Sequence, residues 1–199
     1  MNNQFFAMMS RMKYIERWAL MRNSVRENIS EHSLEVAMIA HGLAVLGNVR
    51  HGKNYNAEKC AMIAMYHDCS EIITGDMPTP VKYYNSSIRG IYHEIEDKAN
   101  ESLLNMLPED MREYYREYFF KKEEDAELWK LVKAADKISA LVKCLEEEKA
   151  GNKEFIEAKK TTREAIVKME VPEVDDFLAE FEKNYSVTLD ELNRGVKVL

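Results

Sequence analysis

Apolar side chains recur at intervals of three and four residues through almost the whole chain, and the alternation expected of half-buried strands is nearly absent. The pattern predicts an all-α fold. From about residue 4 to residue 20, Phe5, Met8, Met9, Met12, Ile15 and Ala19 mark an amphipathic helix. A polar link follows, and Ser30 with Glu31 behind it predicts the cap of a second helix. Residues 36–46 of that helix are apolar around most of its circumference, which places it centrally. Gly47, Gly52 and Asn54 predict a loop over residues 47–55. Asn56 should cap the next helix, running to about Thr74, where Gly75-Asp76-Met77-Pro78-Thr79-Pro80 forms a stiff stop. Further helices are expected over about residues 81–107, with a break near Asn85, and after Pro108, where Tyr114, Tyr115, Tyr118, Phe119 and Phe120 suit a core or a subunit interface. A long helix spans about residues 127–150, and two or three shorter ones follow Gly151 without any motif that reads as chemical.

Composition narrows the partners. With 199 residues, 7 Gly and 4 Pro, the chain fits one domain over residues 1–199 that builds its own core. The net charge of -7, spread rather than blocked, repels a polyanion and argues against a nucleic-acid polymer as partner. A small phosphorylated ligand is still allowed, because a metal ion and a few local cations can reverse the sign inside a pocket. Cys60, Cys69 and Cys144 lack Cys-x-x-Cys spacing and read as reduced core residues. No stretch reaches the ~18 to 20 apolar residues that span a bilayer, and no secretory segment follows the start, so no membrane partner and a cytoplasmic protein are expected.

The chemistry centres on His67-Asp68 inside the apolar run of residues 62–73. On a continuous helix Glu71 would lie one turn from His67 on the same face, with Asp68 about 100° round. Burying an imidazole with two carboxylates is costly unless something compensates them, and a bound cation is the simplest compensation. The dipeptide alone is common and carries little weight. His32 and Asp136, however, also sit in or beside apolar segments, and the set His32, His67, Asp68 and Asp136 offers two imidazoles and two carboxylates. That mixture suits a borderline divalent ion such as Co, Mn, Ni, Fe or Zn. His32 near a helix N-terminus is favoured in its neutral, ligating form. For Asp136 a salt bridge to Lys133 or Lys137 is the simpler reading, for His41 a core or edge position, and for Arg17-Trp18 a core indole beside a surface arginine. Arg17 and Trp18 could equally fork onto a phosphate and wall a ligand.

The spacing of H, then HD, then D resembles the HD-domain superfamily of metal-dependent phosphohydrolases. The segments 17–23, 27–34, 64–68 and 74–83, with 143–147 after Asp136, resemble its bacterial 5′-deoxynucleotidase branch, and the likeness covers nearly the whole chain. It implies an HD-domain helical bundle, a homodimer, and removal of the 5′-phosphate from deoxyribonucleoside monophosphates in preference to ribonucleotides and 3′-monophosphates. It also implies roles: His32, His67, Asp68 and Asp136 on the metal, Glu71 on the attacking water, and Arg17 and Trp18 on the phosphate. Asp76 would take the sugar 3′-hydroxyl, with Met77, Pro78 and Thr79 completing that wall. A related phosphohydrolase with another phosphorylated substrate, or a metal-containing nucleotide sensor, are the alternatives.

Overall fold

Asn28 sets the start of the central helix. Its side chain accepts the backbone N–H groups of Ser30 (3.0 Å) and Glu31 (3.1 Å), while the Glu31 carboxylate takes the N–H of Asn28 at 3.3 Å. This capping box starts the helix two residues ahead of the position that Ser30 suggests. The computed structural model describes residues 3–78, 81 and 84–194. Its helices are α1 (Phe5–Met9), α2 (Ile29–Arg50), α3 (Ala57–Tyr66), α4 (Glu71–Thr74), α5 (Ser86–Leu104), α6 (Glu109–Phe119), α7 (Ala126–Lys149), α8 (Ile156–Val167), α9 (Pro172–Phe181) and α10 (Leu189–Asn193). The fold is all-α, and among the described residues the only β feature is a lone antiparallel bridge between Glu16 and Asn28.

The core is the seam of α2, α3 and α7. Val36, Ile39, Ala40 and Leu43 of α2 are buried against Cys60, Ile63 and Ala64 of α3 and against Leu131, Ala135, Ile138 and Leu141 of α7. A second apolar cluster joins Phe5, Met12, Ile29, Cys69, Leu103, Leu104 and Phe119. Phe119 is buried there and Tyr115 packs against it, whereas Tyr114 of the same aromatic run is exposed. All three cysteines are free and buried, as expected of reduced core residues.

Other helix boundaries differ from the sequence pattern too. α2 runs on through Gly47 to Arg50, because that glycine is needed for close packing and not for a turn: a Cβ there would stand 2.6 Å from the Tyr55 ring and 2.9 Å from Glu173 Oε1. The first helix stops early. α1 gives way to a 3₁₀ turn over Ser10–Tyr14, and Ile15 is extended. The extended chain gains what a helix could not offer: the Ile29 N–H donates to Ile15 O and the Arg17 N–H donates to Glu27 O, both at 2.9 Å.

One buried polar network ties the segment before α2 to α7. Lys143, 6 % exposed, donates to Glu147 Oε1 at 2.5 Å and to the carbonyl of Val25. Glu147, 1 % exposed, also accepts the N–H of Ser24 at 2.9 Å and the Asn152 amide at 2.7 Å. Burial alone would raise its carboxyl, but Lys143, Asn152 and Ser24 hold it down at about 2. A depressed carboxyl contributes stability above its ordinary 4.5 and loses it as pH falls toward about 2. Glu147→Ala strands the Lys143 ammonium and should cost about 3 to 5 kcal/mol in denaturant unfolding at neutral pH. A cost under about 1 kcal/mol would mean the network holds nothing in place.

Candidate active site and metal centre

His32 lies in the first turn of α2, His67 and Asp68 at the end of α3, and Asp136 midway along α7. The helix does not continue to Thr74. Beyond Tyr66 the backbone tightens, with the N–H of Cys69 donating to Tyr66 O (3.1 Å), that of Glu71 to Asp68 O (3.0 Å) and that of Ile72 to Cys69 O (3.1 Å). The physical reason is visible in the side chains. Neighbours on a straight helix diverge by about 100°, yet here His67 Nε2 and Asp68 Oδ2 come within 3.1 Å. The placement of Glu71 one regular turn from His67 is corrected accordingly: Glu71 opens the short α4, 5 % exposed.

Four side chains converge. His32 Nε2 is 3.5 Å from Asp68 Oδ2 and 3.3 Å from Asp136 Oδ1, and ligand atoms of His32, His67 and Asp68 all lie within 4.8 Å of one another. Asp136 meets this group through His32. Each imidazole is oriented from behind: His67 Nδ1 faces Ala64 O at 2.6 Å, and His32 Nδ1 faces Ser139 Oγ at 3.0 Å. Ser139 donates its own proton to Glu35 at 2.5 Å, so its oxygen is left to accept from His32. Both rings therefore carry the proton on Nδ1 and turn Nε2 toward the carboxylates. Both Nε2 atoms are buried and make no hydrogen bond among the described residues.

Those two unused nitrogens beside two carboxylates fit a divalent ion, and they are the oriented donors that metal-binding histidines present. The electrostatics agree. Burial would raise the carboxyls of Asp68 and Asp136, but the imidazoles, with Arg17 near both and Lys137 near Asp136, hold them well below the usual range. Burial and Arg17 press the His32 imidazole down while Asp136 and Glu27 pull it up, and the carboxylates prevail. Positive charge is wanted at this point. His41 is exposed on α2, not a core residue.

Arg17 and Trp18 leave the helical pattern and enter the site from the loop before α2. Arg17 Nη1 stands 3.5 Å from Asp68 Oδ2. Trp18 takes a left-handed backbone (φ 57°), its ring packed on Phe155 with centroids 5.3 Å apart. Asp76 accepts the backbone N–H of Trp18, and burial pushes its carboxyl up against the pull of Arg17. Arg17, Trp18, Asp76, Met77, Pro78 and Asp136 line one cavity of about 640 Å³. Thr79 lies outside the described residues.

Sequence reasoning missed part of this cavity. Its far wall is α8, through Ala158, Thr161, Thr162 and Ala165, and Lys137 stands in it 3.2 Å from Asp136. The segment after Gly151 is thus not silent. The spacing of small residues at 158, 161, 162 and 165 was the available signal, a helix face kept low where something else must fit. Glu27, Glu35 and Ser139, which touch or support His32, carried no signal in sequence.

A family model described as 5′-deoxynucleotidase YfbR-like matches residues 4–185. A 5′-deoxynucleotidase of Vibrio vulnificus is 48 % identical over 191 residues, 96 % of this chain and 98 % of that protein. An HD-domain phosphohydrolase from Listeria innocua, solved by crystallography, covers 92 % of this chain and 88 % of its own with a TM-score of 0.79 and 25 % identity. A cyanophage S-2L HD phosphohydrolase bound to dA and one catalytic Zn2+ ion shares the fold at a TM-score of 0.61 and 19 % identity, over 92 % of this chain and 96 % of its own.

Proposed function

Because the chain belongs to the 5′-deoxynucleotidase YfbR-like family, we propose that it is a metal-dependent phosphohydrolase that removes the 5′-phosphate from deoxyribonucleoside 5′-monophosphates. The observation that carries this reading is the pair of buried, unbonded imidazole nitrogens facing two carboxylates at the edge of a cavity that Arg17 also lines. His32, His67, Asp68 and Asp136 would hold the ion, which is one of Co, Mn, Ni, Fe or Zn. Bound there, it supplies a Lewis acid that polarises a phosphoryl oxygen and offsets charge.

The remaining steps belong to the chain. Arg17 places its guanidinium on the equatorial phosphoryl oxygens. Glu71 takes a proton from, or orients, the water that attacks phosphorus as the bond to the 5′ oxygen breaks. Trp18 walls the nucleotide. Asp76 accepts a hydrogen bond from the sugar 3′-hydroxyl, and Met77 and Pro78 close round the ring so that a 2′-hydroxyl has no room.

A 3′-phosphate would set a second negative charge against Asp76 and is excluded on that ground. Crowding out one hydroxyl is worth about 10² in specificity. Asp76→Ala frees the ring to shift, so the ratio of deoxy to ribo specificity constants should fall at least about ten-fold with metal content unchanged. An unaltered ratio would remove Asp76 from sugar recognition.

Residues 1–199 are read as one domain. On α2 the exposed Leu34, Met38, Val45 and Val49 share a face, and that apolar stripe supports a homodimer. No helix among the described residues is long and apolar enough to cross a membrane, which is compatible with a cytoplasmic enzyme.

A further inference from the structure

Glu27 is not in the cavity, yet its carboxylate reaches three of the residues that serve it. Oε2 accepts the indole N–H of Trp18 at 2.9 Å and lies 3.6 Å from Arg17 Nε. Oε1 lies 3.5 Å from His32 Nδ1. The backbone locks the same register, because the Arg17 N–H donates to Glu27 O and Glu16 bridges Asn28. Among the described carboxylates, Glu27 is the one shown within 4 Å of side-chain atoms of Arg17, Trp18 and His32 together.

Trp18 makes that contact consequential. A left-handed backbone is unfavourable for a residue with a Cβ and persists only where the surroundings enforce it. Five contacts hold Trp18: Glu27 on the indole N–H, Asp76 on the backbone N–H, Asn23 and the Met21 N–H donating to its carbonyl at 3.2 and 2.9 Å, and Phe155 against the ring. Glu27 is the charged group that holds the indole, and hydrogen bonds to a charged group are the stronger kind. It is also the one that reaches Arg17 and the metal-facing histidine.

We propose that Glu27 is a positioning residue that joins the phosphate clamp to the metal centre, holding Arg17, Trp18 and His32 as one rigid array. The inference rests on the phosphohydrolase reading, since it takes Arg17 as the phosphate ligand. A carboxylate serves here because Oε2 faces the Trp18 indole N–H and the Arg17 guanidinium together. The amide of Glu27→Gln keeps one oxygen for them but lacks the charge, so the indole hydrogen bond loses its charged acceptor and Arg17 loses its ion pair. His32 keeps Ser139 behind it, and metal binding therefore survives the change.

The test uses metal-loaded wild type and Glu27→Gln, with melting temperature and metal content checked in both. The variant should raise KM for a deoxyribonucleoside 5′-monophosphate, and weaken inorganic phosphate in calorimetry, by about ten-fold, the value of one charged hydrogen bond. The drop in kcat should be smaller, with about one metal ion per chain retained. In 15N spectra the Trp18 indole N–H resonance should shift while that of Trp129 stays. Wild-type KM, phosphate affinity and indole resonance in the variant would overturn the proposal. So would a fall in melting temperature with those three readings unmoved, which marks a structural role only. If wild type releases no phosphate from any nucleotide, the functional reading fails, and the indole resonance and phosphate affinity still decide the role of Glu27. Should Glu27→Gln not fold, Glu27→Asp, which keeps the charge but shortens its reach, is read by the same criteria.

Discussion

Replacing Asp136 by alanine should leave a folded protein that holds no divalent ion and releases no phosphate. Asp136 is one of two carboxylates facing His32 Nε2, at 3.3 Å, and it borders the cavity. Its removal halves the negative charge that draws a cation to this point and leaves an N2O1 set for a site that Arg17 already makes positive. Losing only an outer partner of a metal ligand costs 10- to 100-fold in affinity by order of magnitude, and losing a ligand costs more. The fold should survive, because the side chain stands at a cavity edge and Lys137, its other partner, is about one-third exposed and free to turn into solvent. Metal analysis after gel filtration, alongside a melting curve, reads the result. A full complement of metal with near wild-type turnover would remove Asp136 from the ligand set.

Glu71→Ala should give the second large effect and a different one: metal and substrate still bind, and turnover falls on the order of 10² to 10⁴, the range for a positioned general acid or base. Glu71 follows Asp68 in the tightened turn, its N–H donating to Asp68 O, and is buried. On the proposed reading it handles the proton of the attacking water and leaves the ion to the four residues named above. Single-turnover kinetics with metal content measured on the same sample separates the outcomes. Loss of metal would make Glu71 a ligand, and unchanged turnover would make it a bystander.

These two effects separate what the sequence exposes from what it hides. His32, His67, Asp68 and Asp136 could be singled out because each is a polar residue set in apolar surroundings, where its cost demands a partner. The break at His67-Asp68 could not, since the apolar rhythm continues through Ile72 and Ile73 and local periodicity does not register a turn imposed by side-chain convergence. The first helix misleads for a related reason. Ile15 and Ala19 keep the period, but pairing with the segment before α2 outweighs helix propensity and carries Arg17 and Trp18 into the site. Gly47 has the form of a stop and is a packing position. Ala158, Thr162 and Ala165 shape the cavity by what they lack, and Glu27 acts through contacts made only in the folded chain.

The most direct test of the account is phosphate release by wild-type protein, first stripped with a chelator and then resupplied with Mn, Co or Zn. The account predicts no release when stripped and restored release from deoxyribonucleoside 5′-monophosphates, with specificity constants about 10² above those for the ribonucleotides and none measurable for 3′-monophosphates. Equal constants for deoxy and ribo substrates, or full activity in the stripped protein, would contradict it.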